Sequence, residues 1–151
     1  MNRKITLFLI GLSIYTGLVF FNYFQAQKKL RDTRPAPLGI SLDTYPKEIP
    51  QGQSGSFSWS IEASPDLSTP LTTILYGYSA SPSALLSTDT PEAVGYPYRV
   101  EDYLRGSFKL PDTFTENIRF DKPGTVYFRA YAKVGSDHLW TDEYSIKITN
   151  P

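Results

Sequence analysis

The side chains able to do covalent or metal chemistry are few in this chain of 151 residues. It contains no cysteine and a single histidine, His138. This composition excludes a thiol nucleophile, a disulfide framework, a Cys-ligated zinc and a site built from several histidines. Ser54 lies in the run GQSGS, but Ser56 occupies the place where a nucleophile elbow requires glycine. We therefore expect no catalytic serine or thiol.

Acidic residues cluster near the single histidine, at Asp137, Asp142 and Glu143. Calcium needs about 6–8 oxygen ligands, and the sequence contains no EF-hand run that would gather them. His138 follows a predicted turn, where a solvated histidine is the simplest interpretation. We expect no metal, no cofactor and no enzymatic activity. Because paired carboxylates occur in any chain, an envelope hydrolase stays a minor alternative.

The charge of the chain is divided between two parts, although the 15 basic and 15 acidic side chains sum to zero. Residues 1–34 carry six basic side chains against one acidic, a net of +5. Residues 35–151 carry nine basic and 14 acidic side chains, a net of −5. Binding of nucleic acid requires a basic face, so an acidic main part argues against a nucleic-acid partner.

The basic part contains an apolar run, residues 5–24, with no charged side chain. A helix of this length spans roughly the 30 Å hydrocarbon core of a bilayer. We predict a short tail over 1–4, a single transmembrane helix over 5–24 and a basic, proline-ended stalk over 25–37. A cleaved signal peptide is the alternative, but its apolar core is shorter, and Phe24 stands where cleavage needs a small residue.

This segment predicts a single-pass protein of the cell membrane with its β-domain outside the cytoplasm. The short N-terminal tail fits the basic end of a signal anchor. The positive-inside rule opposes this orientation, because residues 28–34 carry four basic side chains and the N-terminal tail carries two. On balance we expect the β-domain to lie outside the cytoplasm.

From residue 38 onward the hydrophobic pattern has a period of two, which is typical of half-buried strands. Phe57, Trp59 and Ile61 alternate with small polar residues. The stretch 126–134 alternates most regularly, and a turn at 135–137 should join it to a final strand in a hairpin. Further strands are predicted within 39–43, 71–80 and 114–120. This pattern predicts an all-β fold, a two-layer antiparallel sandwich over 38–151.

Two runs carry a resemblance to a known class of domain. FDKPGTVYFRAYAKVGSDHLWTDEYSIKI, residues 120–148, resembles the last three strands of immunoglobulin-like and fibronectin type III-like modules of microbial surface proteins. QGQSGSFSWSIEA, residues 51–63, is similar to their second strand, with Trp59 as the buried aromatic residue. The resemblance implies an immunoglobulin-like sandwich, although the two cysteines of true immunoglobulin domains are absent and residues 81–109 fit no standard strand spacing.

Six residues are candidates for contact with a partner. Tyr127, Arg129 and Tyr131 should lie, with Lys133, on the outward face of the most regular strand. Ordinary cross-strand pairing explains these residues equally, without any ligand. The long stretch 91–106 adds three tyrosines and is predicted to contain a short helix over 99–105 that ends at glycine. Its tyrosines are Tyr96, Tyr98 and Tyr103.

These observations favour a membrane-anchored, non-enzymatic module that binds a protein or a glycan, or takes part in a surface assembly. The alternative is an accessory subunit of a larger membrane complex, in which the β-domain is a spacer. The tyrosines of 91–106 can either contact a partner or cap an open end of the sandwich.

Overall fold

The computed structural model describes residues 15–26 and 37–150, which belong to two separate units. The first unit contains a helix, α1, over residues 15–26. Its apolar side chains are exposed, among them Phe20, Phe21 and Phe24. The second unit is made almost entirely of strands and turns.

The prediction that a transmembrane helix precedes the sandwich is wrong on the residues that the structure describes. No helix within 15–26 or 37–150 is long and apolar enough to cross a bilayer. Three parts of the predicted N-terminal organisation lie outside the described residues: 1–4, 5–14 and 27–36.

The second unit contains eleven strands and one short helix. In chain order they are β1 (Gly39–Thr44), β2 (Glu48–Pro50), β3 (Ser54–Glu62), β4 (Ser68–Thr69), β5 (Leu71–Gly77), α2 (Pro91–Val94), β6 (Tyr98–Arg99), β7 (Phe108–Lys109), β8 (Asp112–Arg119), β9 (Gly124–Val134), β10 (Asp137–Trp140) and β11 (Tyr144–Thr149).

The strands form two principal sheets. The first has the order β1-β3-β8, and the second has the order β2-β11-β9-β5-β6, with β10 added on β9. β4 and β7 make a separate two-stranded pair. All pairs are antiparallel except β2 with β11. Division of antiparallel strands in this order between two sheets is the arrangement of an immunoglobulin-like sandwich, so the predicted fold of this unit is confirmed.

The core lies between the two sheets and consists of the inward side chains of alternating strand positions. Phe57 and Trp59 of β3 are fully buried, as the period of two predicts. The ring of Phe57 meets that of Phe128 edge to face, with 5.2 Å between the centroids. Trp59 stacks on Phe114 at 5.8 Å. Aromatic side chains therefore supply apolar contact between the sheets, at Phe57 and Phe128, and within the first sheet, at Trp59 and Phe114.

A chain of two buried hydrogen bonds also joins the sheets. Trp59 Nε1 of the first sheet donates to Thr72 Oγ1 of the second, at 2.8 Å. The Thr72 hydroxyl in turn donates to the main-chain carbonyl of Tyr131, at 2.7 Å. The indole N–H of Trp59 and the hydroxyl of Thr72 are thereby hydrogen-bonded within an apolar core, where an unpaired polar group would cost stability.

The end of the chain differs from the predicted hairpin. The predicted last strand is divided into β10 and β11, and residues 141–143 separate them. Thr141 lies at the division, where its hydroxyl accepts a bond of 2.9 Å from the amide of Ala130. Its own amide donates to the carbonyl of Ala130 at 3.1 Å. A side-chain hydroxyl thus completes the ladder at a point where the register of the strand changes.

β2 is not among the strands predicted from the sequence. It runs parallel to β11, with Ile49 opposite Ile148. Ile49 is buried, while its neighbours Glu48 and Pro50 are exposed. A strand of three residues gives too short an alternation to be recognised from sequence.

The chain of two buried hydrogen bonds, from Trp59 through Thr72 to Tyr131, generates a test of the core. Thr72→Val keeps the shape of the side chain but leaves Trp59 Nε1 and the Tyr131 carbonyl without their partner. We expect the free energy of unfolding in urea to fall by about 1–3 kcal/mol. Thr125→Val, on the exposed start of β9, is the matched control and should change it little. Equal stability of the two variants would show that these two hydrogen bonds do not stabilise the core.

Candidate functional site

The outer face of the second sheet, which points away from the core, holds the predicted candidates of β9. Cross-strand register places Thr73 opposite Tyr131 and Leu75 opposite Arg129 on this face. The alternation therefore predicts the direction of these side chains correctly. It does not predict their exposure, because Arg129 is 3% exposed and Tyr131 is 2% exposed. The expectation that they face solvent is wrong.

These side chains are buried by the chain between β5 and β8, here called the covering segment (residues 81–106). Its helix is α2, not the helix predicted over 99–105. α2 begins after Thr90 at the N-cap, with Pro91 in its first turn, and ends at Gly95, whose φ of +82° suits glycine. These are ordinary start and stop signals that the sequence reading missed.

Arg129 fastens the start of the covering segment to the sheet. Its Nη2 donates to the carbonyls of Ser81 and Ser83, at 2.8 and 2.9 Å. Its Nη1 donates to the carbonyl of Thr141, at 2.8 Å. Its Nε is buried without a hydrogen-bond partner. One guanidinium therefore joins three main-chain carbonyls, two in the covering segment and one between β10 and β11.

Glu143 provides the opposite charge in this region. One carboxylate oxygen accepts a bond of 2.6 Å from the amide of Ser81 and a second bond from the hydroxyl of Tyr96. Burial and the bond to Glu143 raise the pKa of Tyr96, and Arg129 nearby opposes that rise. Tyr96 therefore stays protonated at neutral pH, and its hydroxyl donates a hydrogen bond to the carboxylate of Glu143.

The edge of β10 fastens the middle of the covering segment. The amide of His138 donates to the carbonyl of Ser87, at 2.9 Å. The indole Nε1 of Trp140 donates to the carbonyl of Asp89, also at 2.9 Å. These bonds hold the residues just before α2 beside the sheet.

β5 fastens the end of the covering segment. The amide of Val100 donates to the carbonyl of Ile74 at 3.0 Å, and the hydroxyl of Thr73 donates to the carbonyl of Val100 at 2.7 Å. The carbonyl of Tyr103 accepts from the amide of Thr72, at 3.0 Å. The covering segment is thus hydrogen-bonded to the sheet at its beginning, middle and end.

Between these attachments the covering segment leaves an open space over the sheet, here called the outer-face cavity. It has a volume of about 420 Å³. β5, β9 and β10 supply its floor, and the residues around α2 and β6 supply its walls. The lining residues are Leu71, Thr73, Leu75, Thr90, Pro91, Glu92, Arg99, Leu104, Arg105, Tyr131, Lys133 and His138.

Tyr131 and His138 form a hydrogen-bonded pair in the floor of the outer-face cavity. The Tyr131 hydroxyl and His138 Nδ1 are 2.6 Å apart. The ring of Tyr131 also packs on that of Trp140, with 4.5 Å between centroids. Burial, and less strongly the charge of Glu92, raises the pKa of Tyr131 to about 12. His138 is therefore half-buried and bonded, unlike the solvated turn histidine we expected.

Positive charge predominates around the outer-face cavity. Arg99, Arg105 and Lys133 line it, against the single carboxylate of Glu92. Hydrogen bonds from its own main-chain amide and from the Thr90 hydroxyl lower the pKa of Glu92, which therefore stays ionised at neutral pH. Among the described residues, the ion pairs within 4 Å are Arg119–Asp121 and Lys147–Glu48, so none neutralises a cavity cation.

The structure separates the six predicted candidates. Tyr131 lines the outer-face cavity, and Arg129 lies beneath the covering segment. Tyr96 and Tyr98 line a neighbouring cavity of about 310 Å³, which shares Leu75, Pro91, Glu92 and Arg99 with the first. The remaining two candidates lie elsewhere. Together the six do not form one site.

Tyr103 and Tyr127 lie outside the lining of both cavities. Tyr103 packs edge to face on Trp59, with 5.9 Å between centroids, and its hydroxyl donates to the carbonyl of Thr115. It extends the core, which is the capping alternative named for these tyrosines. Tyr127 is half-buried on β9. Tyr98 is 42% exposed and stacks on Tyr76 at 5.3 Å.

Sequence reasoning placed Lys133 on the outward face of its strand but missed Arg99 and Arg105, which together with it give the outer-face cavity its charge. Arg99, Arg105 and Lys133 come from β6, the end of the covering segment and β9. No local pattern links them, because their approach depends on the path of the covering segment. Within residues 15–26 and 37–150, no group of three or more His, Asp or Glu side chains is placed to hold a metal ion.

Comparisons with known proteins add little to this description. No protein-family model matches the sequence. No curated protein matches it either. Among solved structures, the chain is similar to the PKD domain of an M14-like peptidase from Thermoplasmatales archaeon SCGC AB-540-F20, with a TM-score of 0.47 and 14% identity over 76% of this chain and 96% of that one.

The chain is also similar to a beta-glucosidase from Listeria innocua in complex with isofagomine. The TM-score is 0.43 and the identity 12%, over 77% of this chain. The chain spans 16% of the length of that enzyme. Because both likenesses are weak, the assignment of an immunoglobulin-like sandwich rests on the strand order itself.

The contacts of Arg129 generate a test of how the covering segment is held. Arg129→Met leaves the carbonyls of Ser81, Ser83 and Thr141 without the donor that joins them. We expect the free energy of unfolding to fall by about 3 kcal/mol or more, and trypsin to cleave after Arg99 or Arg105 faster than in the native chain. Lys109→Met removes an exposed cation instead and should change neither. Unchanged cleavage in Arg129→Met would show that other contacts hold the segment.

The raised pKa of Tyr131 generates a test in alkaline solution. The folded chain keeps this proton up to about pH 12, whereas the unfolded chain loses it near pH 10. The stability contributed by Tyr131 is therefore present below pH 10 and lost as pH rises towards 12. Melting temperatures followed by circular dichroism should fall less steeply over this range in Tyr131→Phe than in the native chain or in the control Tyr98→Phe. Parallel curves for all three proteins would contradict a contribution of Tyr131 to the loss of stability between about pH 10 and pH 12.

Proposed function

We propose that this chain is a non-enzymatic binding module that takes a ligand, part of a protein or a glycan, in the outer-face cavity. The observation that carries this proposal is the cavity itself. Its volume of about 420 Å³ falls within the range of about 300–1,000 Å³ that is usual for ligand sites. Its lining combines apolar side chains with a few polar and charged ones, as such sites do.

The sandwich does not need this cavity in order to fold. The core is complete between the two sheets, and the outer face of a sheet in such a fold ordinarily meets solvent. Here the covering segment is fastened by Arg129 at one end and by Val100 at the other. A long segment held at several points over an unfilled space is a pre-organised site for a ligand, because little conformational entropy of the protein is lost on binding.

The chemistry around the cavity favours binding over catalysis. The hydroxyl of Thr73 donates to a main-chain carbonyl and has no base beside it. His138 Nδ1 is hydrogen-bonded to the hydroxyl of Tyr131. The raised pKa of Tyr131 keeps this hydroxyl protonated, so no phenolate is present to act as a base at neutral pH. Nucleophilic catalysis requires a nucleophile, a base and an orienting group in mutual contact, and the lining supplies no such set.

The location of the module outside the cytoplasm, and its participation in a surface assembly, stay predictions. The proposal for the outer-face cavity does not depend on either.

The proposal is tested by filling the cavity. Leu104 lines it, whereas Leu86 lies in the same covering segment with its side chain 67% exposed. Full-length protein labelled with ¹⁵N is screened by NMR against a library of short peptides and oligosaccharides. We expect binders to shift the amide signals of cavity residues, to bind Leu86→Trp normally, and to lose at least tenfold in affinity for Leu104→Trp.

The melting temperatures of the two variants serve as the folding control and should stay close to that of the native chain. Binders that keep their affinity for Leu104→Trp, or that shift only signals remote from the cavity, would overturn the proposal. A library that yields no binder would also count against it.

A further inference from the structure

We infer that the ligand of the outer-face cavity carries an oxyanion, a carboxylate, sulfate or phosphate group, on a partly apolar body. This inference rests on the proposed function and specifies it. It is drawn from the charges, contacts and shape of the lining residues.

The first step is the distribution of charge. Residues 35–151 have a net charge of −5, yet three of their nine basic side chains converge on one cavity. Glu92 is the only acidic residue among those that line it. A concave site of one sign focuses the electrostatic potential and raises the local concentration of ions of the opposite sign.

The second step is that the cavity cations have no strong partner of their own. Their guanidinium and ammonium groups make no ion pair within 4 Å among the described residues. Arg99 lies near Glu92 and helps to lower the pKa of its carboxyl group, but the two are not paired at contact distance. Arg105 and Lys133 therefore keep their donors available for a ligand.

The third step is the type of donor. A guanidinium presents its N–H groups in a plane and binds an oxyanion through two parallel hydrogen bonds. Two arginines, Arg99 and Arg105, stand on the wall formed by the end of the covering segment. Lys133 adds a third positive charge from the floor. Such a set recognises an oxyanion better than it recognises a neutral polar group.

The fourth step is the remainder of the lining. Leu71, Leu75 and Leu104 give the cavity an apolar side, where the body of a ligand can be buried. Thr73 and the Tyr131–His138 pair are polar groups of the floor. A simple ion would leave most of the volume unfilled. The lining therefore fits an organic anion of about the size of a monosaccharide or a small acid.

The inference is tested with four sugars that share one body. Glucuronate, glucose 6-sulfate and glucose 6-phosphate carry an oxyanion, and glucose does not. Each is titrated into ¹⁵N-labelled full-length protein, with inorganic phosphate as a fifth probe. We expect at least one charged sugar to shift the amide signals of cavity residues and to bind at least tenfold more tightly than glucose and than inorganic phosphate. Raised salt should weaken its binding.

A double variant, Arg99→Gln with Arg105→Gln, should abolish the preference for the charged sugars. The matched control, Lys109→Gln with Lys122→Gln, removes two exposed cations outside the cavity lining and should keep it. Which of the three charged sugars binds best identifies the oxyanion.

Equal affinity for glucose and the charged sugars, or an unchanged preference in the double arginine variant, would overturn the inference and leave the proposed binding function standing. Absence of any charged sugar from the cavity, while neutral library ligands shift its signals, would have the same meaning. The proposed function fails separately, when Leu104→Trp leaves all binding unchanged.

Discussion

Burial of the Arg129 guanidinium is the constraint on which the outer face depends. A charge removed from water costs several kcal/mol unless it is hydrogen-bonded and compensated. Arg129 meets this requirement through carbonyls that belong to residues distant in sequence, 48 positions away for Ser81. The covering segment can therefore leave the sheet only by exposing its own carbonyls and leaving the guanidinium and Glu143 unpaired. The covering segment and the sheet should form as one cooperative unit.

This arrangement changes the interpretation of the alternating pattern in β9. Both faces of the strand are buried at its centre, one between the sheets and one under the covering segment. Val126 and Phe128 face the core, while Arg129 and Tyr131 face the opposite side. The polar half of the alternation is retained because it forms hydrogen bonds, not because it contacts water. A central strand with polar groups on its second face can then support a charged cavity that an apolar face could not.

The sequence predicts those features that depend on local alternation. The positions of β3, β5, β8 and β9 and the burial of Trp59 follow from a period of two, which reports the direction of each side chain. That period contains no information on what lies above a face, so the burial of Arg129 and Tyr131 was not foreseen. Arg99 and Arg105 were missed because their proximity to Lys133 is set by long-range contacts. The apolar run 5–24 led to the predicted transmembrane helix, but no helix within 15–26 or 37–150 is long and apolar enough to cross a bilayer.

The short strand β2 has a consequence for how the module can associate with others. It lies along β11 at one margin of the second sheet, and Pro50 at its end has no amide hydrogen to offer a further strand. The opposite margin is β6, which is only two residues long. Continuous sheets between neighbouring molecules need long, unprotected margins. We therefore expect association through these two margins to use side chains rather than the backbone.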